Sequence, residues 1–336
     1  MNKQREKNNS IEVFRILFTA VICIHHARGL VNANWLKHGY LCVEFFFIVS
    51  GYFLYKTFHA ETQHDVFRFL CHRMRKLYPD YLLADIIAIC VFGIHAQKFT
   101  ISSAVGELLM LQSSGLIGSR YNYPCWYMSA LILGSVLLYG LLSIKKEAFT
   151  AFIGPALILL VYTYLLHLPG GLEQWSCVGP VSLSLLRGCA GLSIGILIAA
   201  VQKDRHMLSS FVTIILEGIA LVLIALGLLT NRSGEMLTVL AFAALVAAIT
   251  CGESPINRLV SNCTFIPKLS RYCYPIYLNH AFSIKVLRFC CRKVGVSQPP
   301  ILLYCVVVTV IGLMMHFIVV KAIGLAQRSR RSRAIP

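Results

Sequence analysis

Residues 11–30 read IEVFRILFTAVICIHHARGL, a stretch apolar enough to cross a bilayer that nonetheless carries Arg15 and the adjacent pair His25 and His26. An ionisable side chain inside a span costs roughly 2.5–3.5 kcal/mol even on lenient insertion scales, so such residues face a protein interior or a watery cavity. Spacing sharpens the point. At about 100° per residue, eleven positions rotate about 1100°, only about 20° past three full turns. Arg15 and His26 therefore share a helix face, roughly 16 Å apart along the axis, while His25 points about 80° away. Taken singly, Arg15 reads as a snorkelling residue and His26 as a hydrogen-bonded core histidine. Together on one face they read as a site.

The rest of the chain has the same character. Of its 336 residues 57% are hydrophobic and 13% charged, about half the charge of a soluble domain, and the mean hydropathy is +0.70. The net charge of +17 could suggest nucleic acid, but the cations fall between apolar segments, where topology explains them more simply. Thirteen cysteines are scattered without a CxxC, so neither a disulfide framework nor a metal site is expected. The first span lacks an A-x-A-like site and is expected to be retained.

Windows of about 20 apolar residues predict an all-α bundle of about ten transmembrane helices. They lie near 11–30, 39–57, 78–96, 124–143, 149–167, 178–201, 209–229, 235–251, 270–288 and 300–322. The third, interrupted by Asp85, and the ninth, rich in polar and aromatic residues, are the weakest. Lys3, Arg5 and Lys7 precede the first span and Arg328, Arg330, Arg331 and Arg333 follow the last. With Lys56, Arg68, Arg73, Arg75, Lys76, Lys145, Lys146, Lys203, Arg205, Arg258 and Lys268 on the same side, both termini are expected in the cytoplasm. Arg28, Lys37, Lys98, Arg120 and Arg232 fall on the other side, as does the one dissenting cluster, Arg288, Arg292 and Lys293. The chain reads as a single multi-pass domain over 1–336 in the cell membrane, with a basic cytoplasmic tail at 323–336. Residues 97–123 are periodic enough for a short helix at the interface.

Glu44, in GYLCVEFFFIVSGYFLY (39–55), lies at a depth similar to that of His26, and a carboxylate beside an imidazole would orient the ring as a general base requires. Gly51 shares its face and allows close helix approach; Ser50 reads as packing or catalysis. In FRFLCHRMRKLYPDY (67–81) Arg73 and Lys76 are helical neighbours suited to a phosphate-bearing ligand, and Pro79 is expected to start or bend the third span. Arg187 lies too deep to snorkel and calls for a partner such as Glu44, Asp85 or a substrate. Gly188, Gly191 and Gly195 read as helix packing. Glu217 and His316 read as structural, and Trp35, Tyr52, Tyr55, Tyr121 and Tyr123 as an interfacial belt.

In order and spacing, Arg15-x10-His26, VEFFFIVSGYFL (43–54), HRMRKLYP (72–79), YPCWYMSAL (123–131), LRGCAGLSIGIL (186–197) and YPIYLNHAF (274–282) resemble the acyltransferase-3 family of integral membrane acyltransferases. The resemblance implies transfer of an acyl group, usually acetyl, from acyl-CoA to a hydroxyl of a cell-surface or exported glycan. The acceptor would be a sugar on such a glycan or on a lipid carrier. It makes His26 and Arg15 the essential pair, with His26 the base, and Arg73 a donor-binding arginine. Lys76 stands where the family often has a second arginine, keeping the charge but losing the fork. Glu44 occupies a position that is aspartate in many members, Trp126 and Tyr277 match aromatic positions, and His280 matches the histidine of the last motif. No metal is implied. The oxyanion stabiliser is open between Arg187 and Tyr277. Two other classes stay open: a transporter or flippase for a glycan or another exported metabolite, against which stands the lack of internal repeat, and a structural or sensory membrane protein in which the same residues form a buried polar network.

Overall fold

The computed structural model describes residues 8–94, 99–117, 121–174, 177–178, 181–204, 209–230, 234–251 and 254–333. Of the charges used to orient the chain, Lys3, Arg5, Lys7, Lys98, Arg120, Arg205 and Arg232 lie outside them. About 82% of the chain is helical. The one pairing of extended backbone among the described residues joins Cys177–Val178 to Val181–Ser182.

The helices are α1 Asn9–Ala27, α2 Cys42–Ala60, α3 Val66–Ala88, α4 Ile101–Leu108, α5 Trp126–Ala148, α6 Gly154–His167 and α7 Leu183–Asp204. They continue with α8 Ser210–Leu229, α9 Glu235–Cys251, α10 Pro255–Val260, α11 Ile266–Ser270, α12 Cys273–Lys293 and α13 Ile301–Arg333. The described part of each of the ten expected segments is mostly helical, the sixth beginning on extended backbone and becoming helix only at Leu183. Six helical runs among the described residues are long and apolar enough to cross a membrane, the run 123–167 taking in two expected segments. That run, at about 1.5 Å per residue, is too long for one crossing, and it breaks at Lys145 (φ −149°, ψ 74°). Both α5 and α6 pack on α7, so the chain folds back there.

Local chemistry sets the ends of the helices that matter. The Asn8 side chain caps α1 by accepting from the Ser10 and Ile11 amides, satisfying two of the donors a helix start leaves free. Asp65 does the same for α3, accepting from Phe67 and Arg68. This cap corrects the expected start of the third span. The helix begins at Val66 and continues through Pro79 to Ala88, so the basic segment forms its first three turns. At the far end it widens into a π-turn over Ile89–Ile94. The expected short helix is α4, which exposes Ile101 and Val105 and buries Ser103, Ala104, Gly106 and Glu107.

The most intimate pairing is α2 on α7, because glycines let the backbones touch. A Cβ on Gly51 would sit 1.9 Å from the Leu192 carbonyl oxygen, and one on Gly195 would sit 1.8 Å from that of Ile48. Backbone cannot rotate aside. Gly195→Ala is therefore expected to cost about 1–3 kcal/mol or more through forced separation, read as a lower thermal midpoint and a smaller folded fraction. Gly218→Ala, with nothing within 4 Å, should be neutral or stabilising by about 0.5–1 kcal/mol, since glycine disfavours a helix interior.

The two lone polar residues each join two helices. Glu217 accepts from the Ile256 amide at 3.2 Å, anchoring α10. His316 meets Asp80 at 2.8 Å, tying α13 to α3.

Candidate active site

Both ends of the α1 face turn towards α12 and α5. Near its start, Arg15 is half-buried, 3.5 Å from the Glu12 carboxylate, and close enough to the Tyr127 hydroxyl to interact electrostatically. Arg73 of α3 and Ser50 of α2 also lie within electrostatic range of the same hydroxyl. Arg73 also donates to Ser135 at 2.8 Å and lies 4.9 Å from the Phe69 ring centre. Tyr127 thus lies within electrostatic reach of Arg15 on α1, Ser50 on α2 and Arg73 on α3.

Near the other end of α1, the half-buried His26 ring stacks on His280 of α12, with centroids 5.0 Å apart and planes inclined at 26°. Tyr123, at the mouth of α5, stands edge-on to His26 at 5.3 Å. His280 is fully buried. Its Nδ1 faces the Tyr277 carbonyl oxygen, which can only accept, so Nδ1 carries the proton. Nε2 is then the unprotonated nitrogen, and it is buried without a partner. A neutral imidazole with a bare acceptor lies directly against His26.

A file of rings joins the two ends. Tyr127 lies 5.7 Å from Tyr277, and Tyr277 lies 5.3 Å from His280. The order is Arg15 and Arg73, Tyr127, Tyr277, His280 and His26, with the exposed Tyr123 at the far end. The face shared by Arg15 and His26 is the face that borders this file.

The chain is similar to known proteins in the way this arrangement suggests. The model of the acyltransferase domain family, acyltransferase-3, matches residues 8–318. The chain belongs to the acyltransferase-3 family. It is also 30% identical over 78 residues to a putative membrane-bound transacylase of Komagataeibacter xylinus, covering 23% of this chain and 19% of that protein. It is 27% identical over 151 residues to a serine/alanine racemase of Enterococcus gallinarum, covering 42% of this chain and 21% of that protein. The matches thus span only about a fifth of the length of either relative. No solved structure matches the chain. With its six apolar helices, this acyltransferase-3 member is a membrane protein.

Against that identity the remaining expectations sort themselves. Glu44 does not reach His26. Its carboxylate binds the Arg187 Nε and accepts from the Tyr162 hydroxyl, because position 44 faces α7 and not α1. Arg187 has the partner its depth demanded, and its other nitrogens are also engaged. Nη1 donates to the Leu172 carbonyl at 2.6 Å and Nη2 to that of Tyr40 at 3.2 Å, with the Trp126 ring 5.5 Å away. Asp85, the other partner considered, takes the Tyr81 hydroxyl at 3.3 Å instead. Tyr277 gives its one hydroxyl proton to the Pro124 carbonyl at 2.6 Å. Both oxyanion candidates are thereby committed to the scaffold.

Arg73 and Lys76 part company: Arg73 turns into the bundle while Lys76 is exposed. His25 is scaffold, with Nδ1 donating to the Leu36 carbonyl at 3.0 Å and Nε2 accepting from Arg28 at 2.8 Å. Sequence reasoning missed Tyr127, Tyr162 and Ser135, and it assigned Tyr52, Tyr55 and Tyr121 to the belt although all three are buried. For Tyr127 the signal was its place inside YPCWYMSAL, one residue past the tryptophan that was singled out.

Proposed function

We propose that this acyltransferase-3 protein moves an acyl group, acetyl in the simplest case, from acyl-CoA to a hydroxyl of a cell-surface or exported glycan. The observation that carries the reading is the file of rings between a cationic end at Arg15 and Arg73 and an imidazole end at His26 and His280. The same reading takes ten crossings with both termini in the cytoplasm, so that the cationic end faces the donor's compartment and the histidine end faces the acceptor's.

The donor's phosphates dock beside Arg73, whose guanidinium offers a planar fork to phosphate oxygens. The flexible arm of the cofactor runs past Arg15 along the roughly 16 Å that separates it from His26. His26 takes the proton of the acceptor hydroxyl, and the oxygen attacks the thioester carbonyl. The carbon–sulfur bond then breaks, and the departing thiolate takes the proton back from His26, which ends neutral. Positioned general bases of this kind contribute typically about 10²–10⁴-fold. Stacking on His280 fixes the plane of the His26 ring, the role first expected of Glu44.

Arg73 and Lys76 separate this reading from topogenic charge alone. Arg73→Ala is expected to raise the KM for acetyl-CoA about ten- to hundredfold, the worth of one hydrogen bond to a charged group. Lys76→Ala, at an exposed site, should change it less than about fivefold. Steady-state transfer with both variants at matched folded amounts checks this, and equal small effects would remove Arg73 from the donor site.

A further inference from the structure

Arg288, Arg292 and Lys293 were the cluster that the distribution of charge left unexplained, and the structure gives two of them a setting. Arg288 and Arg292 are four residues apart on α12, on one face. They line a cavity of about 260 Å³ together with Gly29, Leu30, Cys291 and Ser297. Gly29 and Leu30 follow His26 by three and four residues, so this cavity lies at the histidine end of the file. Arg288 and Arg28 both act electrostatically on Tyr123, the ring that stands edge-on to His26.

The three arginines at this end differ in their commitments. Arg28 contacts the His25 ring and lies 3.9 Å from the Glu173 carboxylate. Neither Arg288 nor Arg292 has an ion pair among the described residues. Arg292 sits in the last turn of α12, where the helix dipole favours any cation. Arg288 lies a full turn earlier and has no such explanation. It stands eight residues beyond His280, about 12 Å along the axis.

We propose that Arg288 and Arg292 bind the phosphate of the acyl acceptor, which makes the acceptor a phosphate-bearing sugar. This rests on the reading of His26 as the transfer centre. Two guanidinium forks over one small polar cavity match the oxygens of a phosphate group. An anion held there places the attached sugar between the arginines and His26. It also explains why cations persist on the side of the membrane that topology would leave poor in them.

The test is direct binding of glucose 1-phosphate and of glucose to the purified full-length protein in neutral-lipid nanodiscs. Wild type, Arg288→Gln, Arg288→Lys and Arg292→Gln are compared, all shown to be folded. The expected result is binding of the sugar phosphate but not of glucose. Arg288→Gln should weaken it about ten- to hundredfold, Arg288→Lys should restore part of the loss, and Arg292→Gln should have a smaller effect. Unchanged binding in Arg288→Gln, or no binding by wild type, would overturn the proposal. So would a phosphate dependence seen only as tighter association with vesicles containing phosphatidylglycerol, which would make the arginines a lipid-headgroup site. Because the readout is binding, the site can stand even if wild type transfers no acyl group from any acyl-CoA. In that case the proposed reaction alone fails.

Discussion

Glu44→Leu and Arg187→Met, made singly, are each expected to lose most of the folded protein. Glu44 is fully buried and Arg187 is 2% exposed. Removing one partner strands the other charge in a low-dielectric interior, a loss of about 3–5 kcal/mol. That is a large share of the roughly 5–15 kcal/mol that ordinarily separates folded from unfolded protein. The double variant should recover part of it. Full recovery is not expected, because the Leu172 and Tyr40 carbonyls also lose the Arg187 donors, at about 1–3 kcal/mol each if left unpaired. Thermal unfolding of the detergent-solubilised variants, followed by size-exclusion profile, checks this order. If Glu44 served His26 instead, Glu44→Leu would be well folded and inactive, and adding Arg187→Met would restore nothing.

His26→Ala is expected to show the opposite signature: a normal folded yield and acyl transfer lowered about 10²–10⁴-fold. His26 is half-buried and its recorded contacts are ring contacts to His25, Tyr123 and His280, so truncation should cost little stability. His25→Ala is not a neutral comparison. It removes a buried ring bonded to both Leu36 and Arg28, and leaving those partners unpaired costs about 1–3 kcal/mol. Its transfer per folded molecule should stay close to wild type. Measuring rate and folded fraction on the same samples separates the two histidines; a low rate per folded molecule in both would show that the face argument misassigned the base.

The helical segments could be read from the sequence because hydropathy reports burial in lipid or protein without needing a partner. The pairing of Arg15 with His26 on one face was legible for a similar reason, since it depends only on the helical repeat within one element. What failed was inference between elements. Glu44 and His26 share a depth, but depth says nothing of azimuth, and α2 turns Glu44 towards Arg187. Arg73 and Lys76 are neighbours by sequence spacing, yet one faces Ser135 and the other is exposed. Tyr52, Tyr55 and Tyr121 looked like belt, yet all three are buried, because an aromatic near a helix end has the same local sequence whether it faces lipid or protein. Pro79 does not start the third span, because a proline inside an apolar helix is tolerated where neighbouring groups re-satisfy the freed backbone. The glycines of α7 were legible as packing, whereas the backbone distances that make Gly195 indispensable were not.

The central claim is that acyl-CoA enters at the Arg15 and Arg73 end and reacts at His26. The most direct measurement adds labelled acetyl-CoA to one face at a time of sealed proteoliposomes of known orientation, holding wild type or His26→Ala together with a glycan acceptor. The account predicts labelled acceptor only with wild type, and only when acetyl-CoA is on the face that carries the termini. Label appearing equally with His26→Ala, or only from the opposite face, would contradict it.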